Sequence, residues 1–101
     1  MHRYEVGYLW IESSPSPFHQ KRIGLSRHGL EHIGEINWIG LPPVGTSFEK
    51  KDTLCVLESS KAAIEVESPL KGRVLHVQEC TEELLASLKQ DPDHLWLIEL
   101  E

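Results

Sequence analysis

Thr53-Leu54-Cys55-Val56-Leu57-Glu58-Ser59-Ser60-Lys61-Ala62-Ala63-Ile64-Glu65-Val66-Glu67-Ser68-Pro69 decides how this chain folds. Leu54 to Leu57 is an apolar arm with the composition of a buried strand. Beyond it, Ile64 and Val66 fall on one face of a second arm while Glu65 and Glu67 fall on the other, the period-2 pattern of a strand. The residues between, Ser59 to Ala63, are small or polar apart from Lys61, so the two arms are expected to meet at a tight turn with a lysine at its tip. Pro69 ends the second arm because it has no N–H to give to a central ladder. Lys61 is then either an ordinary solvated turn lysine or an amine held out for another protein's active site.

Outward from this hairpin, the chain reads as a succession of short strands. Arg73 to Val77 is a strand after a turn at Lys71-Gly72. Thr81 to Gln90 has acidic Glu82 and Glu83 in its first turn and apolar Leu84, Leu85 and Leu88, the pattern of a short capped helix. Asp91-Pro92-Asp93 stops it, and His94 to Leu100 is read as a last strand with Trp96 and Ile98 on one face. Upstream, Ser47 to Asp52 leads into the hairpin and Lys50-Lys51 is a solvated turn. Glu35 to Leu41 is a strand ended by Pro42-Pro43, with Val44-Gly45-Thr46 turning after it. Ser26 caps a helix over Arg27 to Ile33, with Leu30 and Ile33 as its apolar stripe and Gly34 at its end. Tyr4 to Ile11 and Phe18 to Leu25 are strand candidates expected to pair antiparallel, joined by Ser13-Ser14-Pro15-Ser16-Pro17. Many short strands punctuated by Gly and Pro predict an all-β sandwich or barrel.

Composition narrows the function classes. The 101 residues suit one compact domain, read as residues 1–101, and 40% hydrophobic content with three tryptophans suits a folded one. A net charge of −6 disfavours nucleic acid and anionic membrane as partners, since both select clustered Lys and Arg. No run of eighteen apolar residues predicts a membrane helix. Without a basic-then-apolar leader pattern and with Cys55 and Cys80 too few for a disulfide framework, a reducing, cytoplasmic location is expected. Cys55, inside an apolar arm, is read as a small buried hydrophobe.

Three segments in fixed order carry a resemblance: Gly34-Glu35-Ile36-Asn37-Trp38-Ile39-Gly40-Leu41-Pro42-Pro43-Val44-Gly45, then Phe48-Glu49-Lys50-Lys51-Asp52, then Val56-Leu57-Glu58-Ser59-Ser60-Lys61-Ala62 through Ser68-Pro69-Leu70-Lys71-Gly72-Arg73-Val74. Together they resemble the H-protein family of the glycine cleavage system, small lipoyl carriers, over roughly Tyr8 to Val77 and more loosely to Leu100. The resemblance implies a lipoyl/biotinyl-type barrel-sandwich hybrid of two small antiparallel sheets with one or two short peripheral helices. It also implies a non-catalytic monomer with lipoate joined to Lys61 as an amide. Glu58 would be the acidic residue by which a lipoate ligase or octanoyltransferase chooses that lysine. Glycine decarboxylase, aminomethyltransferase and dihydrolipoamide dehydrogenase would be the partners of the loaded arm. His32 falls in the helix that flanks the family's arm-shielding cleft, and Gly45 and Gly72 match turn glycines.

The chain departs from the family where Tyr8-Leu9-Trp10 replaces His-Glu-Trp and Ile64-Glu65 replaces Ser-Asp, and the family's extended tail has no counterpart up to Glu101. These departures bear on the cleft and leave the attachment lysine in place. A rival job with the same cofactor is lipoate relay or redox metabolism without glycine cleavage. Biotin is disfavoured because Ser60 and Ala62, not methionines, flank Lys61. A nucleophile–base pair of Ser59 or Ser60 with Lys61 lacks the desolvation that would lower a lysine pKa. His28 and His32 share a helix face, with His19 or His94 as further candidates, but no second motif completes a metal site.

Overall fold

The computed structural model describes residues 2–14 and 20–101. Nine strands occur among them: β1 (His2–Val6), β2 (Leu9–Ser13), β3 (Lys21–Leu25), β4 (Ile36–Gly40), β5 (Ser47–Phe48), β6 (Thr53–Ser59), β7 (Ala63–Glu67), β8 (Gly72–Val77) and β9 (Ile98–Leu100). Two helices, α1 (Arg27–Ile33) and α2 (Glu82–Gln90), and a one-turn 3₁₀ helix (Pro92–His94) connect them. The strands form a six-stranded sheet in the order β1-β2-β3-β9-β8-β5 and a three-stranded sheet in the order β4-β6-β7, with every pairing antiparallel. This is the expected barrel-sandwich class. Ile11, Ile23 and Leu25 from one sheet and Ile39, Leu57 and Val66 from the other share one hydrophobic cluster.

The helices follow the sequence signals. Ser26 Oγ accepts the Gly29 N–H at 2.9 Å, and Gly34, at φ 89°, closes α1 by donating its N–H to Leu30 O. Thr81 Oγ1 accepts the Leu84 N–H at 3.1 Å and so caps α2, whose Leu84 and Leu88 are buried. Cys55 is buried, and desolvation pushes its thiol up to about 12, so it packs as a hydrophobe.

Three expectations need correction. Tyr4 to Ile11 is not one strand: Val6 pairs with Leu9 across a two-residue turn at Gly7-Tyr8. Gly7 takes φ +59°, which a residue with a Cβ resists, and this lets the chain reverse. β1 is consequently an edge strand, exposed along its length, while Leu9, Trp10 and Ile11 of β2 enter the core. The last strand spans only Ile98–Leu100; Pro92 to His94 are a 3₁₀ turn, and the Trp10 indole Nε1 donates to Pro92 O at 2.9 Å and pins that turn to the sheet. Gly72 opens β8 opposite Phe48 instead of turning, and the turn lies at Pro69-Leu70, whereas Gly45 does turn at φ +92°. The antiparallel pairing of the first runs holds as β2 with β3. Pro15 to His19, including Phe18 of the second strand candidate and most of the proposed loop, lie outside the described residues.

β9 lies between β3 and β8 and is buried on both faces, so its one charged residue, Glu99, has to be satisfied. Arg22 Nε donates to Glu99 Oε2 at 3.0 Å from β3, and His76 Nδ1 donates to Oε1 at 2.7 Å from β8. The His76 hydrogen bond, aided by Arg22, holds the Glu99 carboxyl below the usual value of 4.5. Because the folded state favours the carboxylate more than the unfolded chain does, this contribution is complete above the ordinary glutamate pKa. It is lost as pH falls below about 4.5 and through the lower folded value. Glu99→Gln is therefore expected to be less stable than the parent at neutral pH, with the gap closing in acid. Urea unfolding of both proteins from pH 7 downward checks this, and a gap that stays constant in acid contradicts it.

Candidate functional site

β6 and β7 pair Cys55 with Val66, Val56 with Glu65, Leu57 with Ile64 and Glu58 with Ala63. Only Ser60, Lys61 and Ala62 remain in the loop, so Lys61 stands at the middle of a three-residue tip. Its side chain is exposed, and none of the ion pairs among the described residues includes it. An exposed primary amine on a narrow tip can enter an active-site pocket and accept an acyl group.

Ser59 orders the tip. Its backbone N–H donates to Ala62 O at 2.9 Å, and its hydroxyl donates to the same oxygen at 3.2 Å. The hydroxyl oxygen also accepts the Lys61 and Ala62 N–H groups at 3.4 and 3.2 Å. In the sequence Ser59 stands out only as a small turn residue and a weak nucleophile candidate. The signal that could have singled it out is a serine two and three residues before the amides it binds, the spacing of a serine turn. These bonds also occupy the hydroxyl in holding the loop, which removes it from a nucleophile role.

Glu58 is exposed on the outward face of β6, opposite Ala63 on one side and Trp38 of β4 on the other. His32 is exposed on α1 and stacks on Tyr8, with ring centroids 5.7 Å apart and planes at 27°. The close approach depends on Gly29, where a Cβ would lie 2.6 Å from Tyr8 O and 2.8 Å from Tyr8 Cα. Tyr8 in turn lines a groove of about 690 Å³ between the β1–β2 hairpin and β7, with Tyr4, Val6, Lys51, Glu65 and Leu70 among the other walls. His32 is not one of the lining residues; it backs the Tyr8 ring. His28 lies next to His32 at 6.4 Å, but His94 is turned to Asp91 at 2.9 Å, and no group of three candidate metal ligands occurs among the described residues. His19 lies outside them.

The family model of the glycine cleavage H-protein matches residues 2–101. The chain belongs to the glycine cleavage H-protein family. A relative from Chlamydia muridarum, named glycine cleavage system H-like protein, is 47% identical over 76 residues, 73% of this chain and 62% of that one. A glycine cleavage system H protein from Dinoroseobacter shibae is 34% identical over 98 residues, 96% of this chain and 78% of its own length. The crystal structure of an H protein from Mycobacterium marinum superposes with a TM-score of 0.77 over 97% of this chain and 80% of that chain; at 22% identity it shows the shared fold. The chain thus spans about three fifths to four fifths of these proteins' lengths.

Ser59→Ala is expected to leave the fold intact, cost about 1 kcal/mol or less, and speed hydrogen exchange at the Lys61 and Ala62 amides. Exchange measured by NMR decides it: unchanged protection at both amides would remove Ser59 from the ordering role.

Proposed function

We propose that residues 1–101 act as one carrier unit that bears lipoate on Lys61 and serves glycine cleavage. The observation that carries this reading is an exposed lysine centred on a three-residue hairpin tip in a chain matched to the H-protein family from residue 2 to residue 101. The amine fits the group, because a carboxylic acid needs an accessible primary amine and little else from the carrier. Lys61 Nζ attacks the carbonyl carbon of an activated lipoyl or octanoyl group. The amide C–N bond forms as the bond to the leaving group breaks, and Nζ gives up a proton. Glu58, three residues before Lys61 and exposed on the adjacent strand, is the acidic landmark for the lipoate ligase or octanoyltransferase.

When attached, the lipoyl group supplies a disulfide that accepts two electrons and carries an aminomethyl fragment. The chain's part is to hold the arm on a stiff base and keep it at high effective concentration for each partner in turn. Those partners are glycine decarboxylase, aminomethyltransferase and dihydrolipoamide dehydrogenase, and the carrier adds no catalysis of its own. The groove beside β7 gives the arm a place to fold back, with Glu65 and Tyr8 in its wall and His32 stacked behind Tyr8. We place this work in the cytoplasm and with the chain as a monomer; no helix among the described residues is long and apolar enough to cross a membrane.

A second reading keeps lipoate on Lys61 and replaces glycine cleavage by lipoate relay or redox metabolism. It is favoured by the H-like name of the Chlamydia muridarum relative and by Leu9 standing where the resemblance implies a glutamate. Incubating the loaded chain with glycine, glycine decarboxylase, aminomethyltransferase, tetrahydrofolate, dihydrolipoamide dehydrogenase and NAD+ separates the two, since only the first reading predicts glycine-dependent NADH formation.

Intact mass of the chain isolated from its own cells, with peptide mapping, is expected to show a lipoyl or octanoyl amide on Lys61; a bare lysine in every molecule would refute the carrier reading. Lys61→Arg should fold normally and take no acyl group. Glu58→Ala should slow loading about tenfold, the loss of a charged contact at an interface centre, while unfolding in urea shifts by under about 0.5 kcal/mol, as for an ordinary surface change. An unchanged loading rate would take Glu58 out of recognition.

A further inference from the structure

We infer that Trp38, seated on Gly40 and opposite Glu58, is a docking contact for the enzyme that loads Lys61, and that this enzyme meets it with an apolar patch edged by arginine or lysine. The inference rests on the lipoyl-lysine reading above. Trp38 is 48% exposed on the outward face of the three-stranded sheet, whereas Trp10 is 2% exposed in the core. About half of the indole therefore stays in water, a large amphipathic surface of the kind enriched at interfaces.

The ring is held in place. A Cβ at Gly40 would lie 2.7 Å from Trp38 Cζ3 and 2.9 Å from Cη2, so the indole rests against the Gly40 backbone, and Val56 is beside it. Little side-chain freedom then remains to be lost on binding, and a rigid aromatic of this kind is the type of side chain that dominates interface energetics. Register sets its position relative to the lysine. Trp38 pairs with Glu58, and Lys61 follows three residues later, about 10 Å of chain at full extension. A specific interface covers about 800 Å² on each partner. An enzyme that draws Lys61 into its active site therefore reaches the Trp38 platform as well.

Charge selects the partner. Glu58, Glu65 and Glu67 are exposed on the same outward face as Trp38, and none of them is in an ion pair among the described residues. Lys61 loses its charge on acylation, which leaves Glu58 and Glu65 as the charges on the strands beside the Trp38 platform, with Lys50 and Lys51 further off at the groove beyond β7. A second copy of this chain would bring like charges together, and the overall net charge of −6 adds to that repulsion. A basic rim around an apolar patch is the complement, with an arginine able to pair with Glu58 and stack on the indole.

The test is steady-state loading by a lipoate–protein ligase with lipoate and ATP, read by intact mass, on the parent chain, Trp38→Ala, Trp38→Phe and Gly40→Ala. Nζ takes the acyl group from the ligase's acyl-adenylate, releasing AMP and a proton. KM should rise about tenfold in Trp38→Ala and in Gly40→Ala, with kcat within about twofold and Trp38→Phe near the parent. The Kd of the same ligase for the unloadable Lys61→Arg chain, measured by calorimetry, should rise by a similar factor when Trp38→Ala is added. A parental KM in Trp38→Ala, or a loss confined to kcat, overturns the docking role while leaving the lysine assignment standing. A parent chain that is never loaded defeats both. Sedimentation that finds a dimer abolished by Trp38→Ala also overturns it, because the face would then belong to a second copy.

Discussion

A lysine can be held out in solvent on a loop with no bulky side chain only if the strands beneath it are anchored elsewhere. Here the anchor is the inward face of the β6–β7 hairpin. Leu54, Leu57 and Val66 are buried against the core while their neighbours Glu58, Glu65 and Glu67 face water. Each buried aliphatic side chain is worth about 1.5–3 kcal/mol, and the period-2 alternation delivers that stabilisation without placing an apolar group at the tip. Order in the last three residues then comes from hydrogen bonds instead of packing, through the Ser59 hydroxyl and amide. The tip is thus narrow and set in shape, while the lysine side chain stays free.

The larger sheet depends on a buried charge in the middle of it. Glu99 fastens β9 to its two neighbours through Arg22 and His76, and the arrangement works because each partner sits on a different adjacent strand. Arg22 also lies over the Trp96 ring at 5.3 Å, which keeps its guanidinium in position. Where the sheet meets α1, contact is made through small groups: Gly29 lets the helix reach the Tyr8 backbone, and the Ser26 amide donates to Tyr8 O at 2.9 Å. That close approach brings His32 onto the Tyr8 ring and so links the helix to the groove beside β7.

Much of this is legible in the sequence. The capped helices carried Ser26, Gly34 and Thr81 at their ends, and the alternation of Ile64, Glu65, Val66 and Glu67 marked a half-buried strand. Two strands were misread, for identifiable reasons. Gly7 sits within a run of β-forming residues, and composition alone does not reveal that its φ is positive. His94 to Trp96 have strand composition, but His94 ends the 3₁₀ turn that the Trp10 indole pins at Pro92 O, a contact spanning 82 residues, and Leu95 to Leu97 join no ladder before β9 starts at Ile98. In the site, Lys61 and Glu58 were legible as a motif. Ser59 was not, because its role depends on the loop being three residues long. Trp38 read as one more strand residue.

Local chemistry on the chain was enough to determine both helices, the strands of the central hairpin, which lysine stands at its tip, and the family to which the ordered motifs point. These features depend on alternation, capping and turn residues, all of which act within a few positions. Tertiary structure alone decided that β9 inserts between β3 and β8 and that a groove opens between the first hairpin and β7. Each of these joins residues far apart in the chain. Their placement follows from packing two sheets around one core, which no local pattern of residues encodes.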